Sequence, residues 1–183
     1  MDRLKCLGKV ARLRINTPLA RTGLLASVLI SPSMLYAQDL SQLDELNSYD
    51  NHAVISQYGN SLNATISQQG LTNRAVVSQT GFSTQIDVNQ VGSRNQLTAF
   101  QSGAEIEAAI LQSGFNNVVV SSQQGAYLSL EIEQQGNDNL ASVLQVGNES
   151  SVTIYQNGTG HGVSVIQYGQ GQSAQVTQGY ISN

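Results

Sequence analysis

Side chains able to do acid–base or nucleophilic chemistry are few and scattered in this chain. His52 and His161 are the only groups that could act as bases near neutrality, and Cys6 is the sole thiol. Glu105, Glu107, Glu131 and Glu133 supply carboxylates, but no Ser/His/Asp, Cys/His or paired-carboxylate arrangement stands out around them. No metal-ligand constellation stands out either. The reactive set therefore points to no enzyme, no cofactor and no metal. What recurs at fixed spacing is the carboxamide. Gln occupies every eleventh position from residue 57 to residue 178, twelve times without an insertion. A primary amide offers N–H donors and a carbonyl acceptor. The chemistry legible here is hydrogen bonding repeated in space.

A fixed spacing needs elements that hold it. Gly follows two residues after each Gln, at Gly59, Gly70, Gly81, Gly92, Gly103, Gly114, Gly125, Gly136, Gly147, Gly158 and Gly169; only the last unit departs, with Gly179 directly after Gln178. Two and four residues before each Gln, 24 positions hold apolar residues with the single exception of Ser121. The interleaved positions carry Arg74, Asp87, Glu107, Glu131 and Glu133 among Ser, Thr and Asn. A period of two with one apolar side is the signature of a half-buried strand. Each unit reads as a strand of about seven residues ending at its Gln, then a turn of about four that contains the Gly.

A longer period lies over the first. Six residues before alternate glutamines stand Asn51, Asn73, Asn95, Asn117 and Asn139, then His161, and Asn183 falls on the same lattice. The intervening half-repeats carry Leu62, Thr84, Ile106, Leu128, Ser150 and Gln172 there. The true unit is thus 22 residues, strand–turn–strand–turn. The expected fold is all-β: a parallel two-sheet β-solenoid of about six coils with cross-β stacking at about 4.8 Å per coil. Inward amides must be paired, because an unpaired buried amide is costly. Stacking supplies partners one coil away. Two Gln ladders are expected, one of Gln57, Gln79, Gln101, Gln123, Gln145 and Gln167, the other of Gln68, Gln90, Gln112, Gln134, Gln156 and Gln178. The Asn column forms a third, with His161 read as a ladder substitute and not a metal ligand. The repeat is cut off in mid-unit with no helical pattern after it, so open strand edges are expected to recruit further chains end to end.

The N-terminus differs in kind. Residues 1–21 carry Arg3, Lys5, Lys9, Arg12, Arg14 and Arg21 against Asp2; the apolar run Gly23–Ile30 follows, then a candidate cleavage site after Ala37. This is the layout of a secretory signal over 1–37, and its apolar run is far short of the roughly 20 residues of a membrane span. A short acidic leader, 38–50, precedes the repeat domain, 51–183. Loss of 1–37 would leave Arg74 and Arg94 as the only basic residues against eleven acids, a net charge near −9, and no cysteine. Two arginines do not make a nucleic-acid surface, and stability cannot come from disulfides.

The stretches QQGLTNRAVVSQ, 68–79, and QQGNDNLASVLQ, 134–145, share the pattern Q-x-G-x-x-N-x-A-x-x-x-Q. This resembles the curlin repeat of bacterial curli fibres, over about Leu46 to Asn183. The resemblance implies a secreted functional amyloid of the cell surface and biofilm matrix, serving adhesion and surface colonisation. It implies no small-molecule substrate and no nucleic acid. The implied partners are further copies of the chain, a major curlin subunit, and a dedicated secretion pore with accessory factors at the outer membrane. The Ser that often opens the family's repeat six residues before its first Gln is mostly missing, and Leu97, Val119 and Val163 replace the family's Ala. The acidic leader without Gly, and Leu46 in place of the first Gln, look more like the minor, nucleating subunit. The strongly basic last repeat of some minor subunits is missing, and the major fibre subunit stays as the alternative. A non-amyloid secreted solenoid, such as an ice-binding or adhesin module, is the distant one; an ice-binding face would need regular Thr columns that the outward positions do not show. A calcium-binding nonapeptide solenoid is excluded by the period.

Overall fold

The computed structural model describes residues 14–15 and 50–179. Apart from Arg14, Ile15 and Asp50, the expected signal and leader lie outside the described residues, as does Asn183. The described residues form ten strands and no helix: β1 Arg14–Ile15, β2 His52–Asn60, β3 Asn63–Leu71, β4 Arg74–Ser93, β5 Gln96–Phe115, β6 Val118–Asn137, β7 Leu140–Asn148, β8 Ser151–Thr159, β9 Gly162–Gln170 and β10 Ser173–Gly179. Every pairing is parallel. From β2 onward, the register between successive coils is an offset of 22 residues, as Gln79 pairs with Gln101 and Gln101 with Gln123. The result is a β-solenoid of six coils: β2 with β3, then β4, β5 and β6 each as a whole coil, then β7 with β8 and β9 with β10. The short β1 lies parallel beneath β3 at Ser67 and Gln68.

The constant coil length explains the register. A one-residue slip would turn every core side chain outward. The columns two and four residues before Gln fill the space between the two flat sides of the coil; Ala75, Val77, Ile86, Leu97, Val119 and Ile154 are all buried. Burial fades at both ends of the stack, where Ala53, Ile55, Val163, Val165, Ala174 and Val176 are only partly covered.

Most strands are longer than the expected seven residues. They run nine residues, through the Gln and past the Gly, and twenty in the middle three coils, while β10 spans seven. The Gly backbone stays paired with the Gly of the next coil, so the expected four-residue turn shrinks. The sharp change of direction sits instead four residues after each Gln. Nine non-Gly residues there, from Ser61 and Thr72 to Glu149, hold φ between 53° and 60°, and Gly160 and Gly171 complete the series.

The two arches of each coil differ for a reason the side chains supply. At the Asn arch, the backbone N–H of Asn95 donates to Asn73 Oδ1 at 3.0 Å, and that of Asn117 to Asn95 Oδ1 at 3.1 Å. The side chain takes the bond, so the strand breaks. At the other arch Thr84, Ile106 and Leu128 pair backbone to backbone, and the strand continues around the bend. Where Ser150 returns to that position, its hydroxyl accepts from Gln172 N at 3.1 Å and the strand breaks again.

Candidate functional site

The side chains with recurring chemistry stand in columns along the solenoid axis. In the first Gln column, Gln57 Nε2 donates to Gln79 Oε1 at 2.6 Å, Gln79 to Gln101 at 2.8 Å, Gln101 to Gln123 at 3.1 Å, Gln123 to Gln145 at 3.0 Å and Gln145 to Gln167 at 3.1 Å. In the second, Gln68 donates to Gln90 and Gln90 to Gln112 at 2.7 Å, Gln112 to Gln134 at 3.0 Å, and Gln134 to Gln156 and Gln156 to Gln178 at 2.8 Å. The amide nitrogen uses its second hydrogen across the coil. It reaches the carbonyl sixteen residues earlier, as Gln90 does Arg74 O at 3.2 Å and Gln134 does Val118 O at 3.2 Å. Each interior Gln is therefore paired up the column, down the column and across to the facing strand. That accounts for glutamines with no exposure, such as Gln79, Gln90, Gln112, Gln134 and Gln145.

The Asn column runs with the opposite sense. Asn73 Nδ2 donates to Asn51 Oδ1 at 3.1 Å, and Asn139 Nδ2 to Asn117 Oδ1 at 3.0 Å, so donation points towards the N-terminal coil. The same nitrogens reach a Gly carbonyl of the next coil, as Asn117 does Gly136 O at 2.9 Å. His161 keeps only the backbone part of this pattern, donating N–H to Asn139 Oδ1 at 3.0 Å.

The Gly column has a steric reason beyond its φ. Gly103 adopts φ 141°, and a Cβ there would stand 1.8 Å from the carbonyl oxygen of Gly125. The same collision recurs from Gly59 to Gly147. The coils approach backbone to backbone at this corner, and only Gly admits the approach.

The ends follow from the sense of the ladders. Among the described residues, Gln57 and Gln68 receive no bond on Oε1, and Gln167 and Gln178 each keep one Nε2 hydrogen without an acceptor. The N-terminal face thus presents acceptors, and the C-terminal face presents donors, in the same two columns. Among the described residues, β2 on one side and β9 and β10 on the other end the stack, and β1 adjoins β3 at Ser67 and Gln68.

Reading by a period of eleven overlaid two outer surfaces that the structure separates. Asp87, Glu107, Glu131 and Glu133 all lie on the outer side of the second strand of their coils, while Arg74 lies on that of the first. On the acidic side, burial and then a hydrogen bond to Glu131 push the Tyr155 phenol above its ordinary value, with the charges of Glu131 and Glu133 adding to the effect. Leu62, Thr84, Ile106 and Leu128 stand where the curlin repeat often has Ser. Ile106 and Leu128 are buried under the second arch, where they form an apolar column of their own. The shared spacing of Ile106 and Leu128 was the available signal. Among the described residues, no group of three or more His, Cys, Asp or Glu is placed to hold a metal ion.

No curated protein matches the chain. Residues 49–81, 128–154 and 147–179 match the family model of the Curlin associated repeat, and these matches support the curlin family for this chain.

Proposed function

We propose that the chain is a structural subunit of curli, a secreted amyloid fibre of the bacterial surface, and that it adds to further copies end to end. The observation that carries this reading is the pair of complementary ends: among the described residues, the first coil holds amide acceptors and the last coil amide donors that take no partner, in the same two columns. A following subunit placed head to tail would continue both Gln ladders and all the backbone pairing, with no new geometry. The expected signal at 1–37 delivers the chain to the outside, and the fibre serves adhesion and the biofilm matrix. Within that family we read the chain as the minor, nucleating subunit, on its short acidic leader.

Two experiments test this. Fibres of the purified protein are expected to diffract near ~4.8 Å along the axis; a pattern without that reflection overturns the reading. The double variant Gln167→Glu, Gln178→Glu keeps the oxygens that accept from Gln145 and Gln156, and removes the outward donors together with the across-coil bonds to Ser151 O and Gly162 O. It is expected to slow fibre elongation at least ~10-fold, from two lost bonds of about 1 kcal/mol each. For the finer assignment, substoichiometric protein is added to a monomeric major curlin. Loss of the lag supports nucleation. An unchanged lag, with fast polymerisation of this chain alone, assigns it to the major subunit.

A further inference from the structure

The two outer faces of the solenoid are chemically unlike. The first face, the outer side of β2, β7, β9 and the first halves of β4, β5 and β6, carries Val54, Phe100, Val120, Leu140 and Ile166, each between 41% and 62% exposed, together with two exposed tyrosines. It holds no carboxylate, and Arg74 is its one full charge. The second face carries Asp87, Glu107, Glu131 and Glu133 and none of the large exposed hydrophobics. The remaining exposed large side chains, such as Phe82 and Phe115, sit at the bends.

We propose that the first face is the lateral contact through which two stacks of this chain pair side by side, first face to first face. The inference rests on the fibre reading above. Pairing through the second face would bring eight carboxylates together for each pair of chains, and pairing first to second would desolvate four carboxylates against one guanidinium; both are unfavourable. First to first buries apolar surface and leaves the acids in water. The surface is also shaped for a self-complementary fit. Phe100 stands between Ser78 and Ser122 in one column, a large residue flanked by small ones one coil away on either side, as in the dry interfaces between paired sheets. The size decides which species pairs. Six strands at ~4.8 Å by seven residues at ~3.3 Å give about 670 Å² per chain, below the ~800 Å² per partner of an ordinary stable interface. Single chains therefore stay apart, and stacks of two or more chains, whose faces are continuous, associate.

The test is mass per length by electron microscopy of fibres from the parent chain and from three variants. The parent is expected to show twice the mass per length of a single stack. Phe100→Glu, and independently Val120→Glu, are expected to halve it, with seeded elongation changed less than ~2-fold and the reflection near ~4.8 Å retained. Ala109→Glu, on the second face, is expected to leave pairing intact. Parent fibres of single-stack mass, paired fibres from both first-face variants, or separation by Ala109→Glu as complete as theirs would overturn the proposal. Absence of any fibre from the parent is a failure of the subunit reading itself, and the lateral contact falls with it.

Discussion

Thr84 Oγ1 is the one buried side-chain polar atom among the described residues without a hydrogen-bond partner. Its column neighbour in the next coil is Ile106, so an apolar residue of the same shape fits. Thr84→Val is expected to raise stability by about 1 kcal/mol or more by removing the unpaired group, read as a higher denaturation midpoint of the soluble monomer. Gln112 is the opposite case. Replacing it with Leu orphans Gln90 Nε2 and Gln134 Oε1, with an expected loss of about 3 kcal/mol. The two positive-φ positions of each half-coil separate in the same assay. Gly114→Ala would set a Cβ 2.0 Å from Gly136 O and is expected to abolish the native coil stacking. Glu105 is exposed and sits at φ 53°; Glu105→Gly relieves left-handed strain and is expected to stabilise by up to about 1 kcal/mol.

At the scale of the element, the 22-residue coil was legible because its cause is periodic: every core column and every amide must meet its copy one coil away. The lengths of the strands were not, because after the first coil they depend on what one side chain per arch does with one backbone N–H. Asn95 accepts it and breaks the strand, and Ile106 cannot and leaves it whole. The segregation of acids onto one outer face was also hidden, since a period of eleven superimposes the two faces. His161 marks where the Asn column loses its side-chain bond. His161→Asn is expected to restore a bond to Asn139 and stabilise the last coil by about 1 kcal/mol, seen as slower amide exchange in β9. Removing residues 96–117 deletes one coil in register, and a folded, shorter solenoid is expected by circular dichroism. Removing 96–106 alone would carry Asn117 out of its column and expel the ladder from its arch; loss of cooperative unfolding is the expected result.

For the molecule as a whole, the six coils repeat one geometry, so in the proposed fibre the boundary between one chain and the next would be chemically like the boundary between coils. Stability is then close to a sum of coil and interface terms, and growth changes the number of terms without changing their kind. Among the described residues, charge lies at the bends and on the second face, apart from Arg74 on the first, and it does not oppose addition along the axis. The constant 22-residue turn also has a mechanical meaning. Pulled by its two ends, such a spring cannot yield gradually, since each coil is held by a full ring of pairings and releases only as a ring. Each release frees the same length of chain, about 70 Å when drawn straight. A single molecule under tension should therefore lengthen in equal steps, and a stretched fibre should act as an array of identical shock absorbers that re-wind when the load is removed.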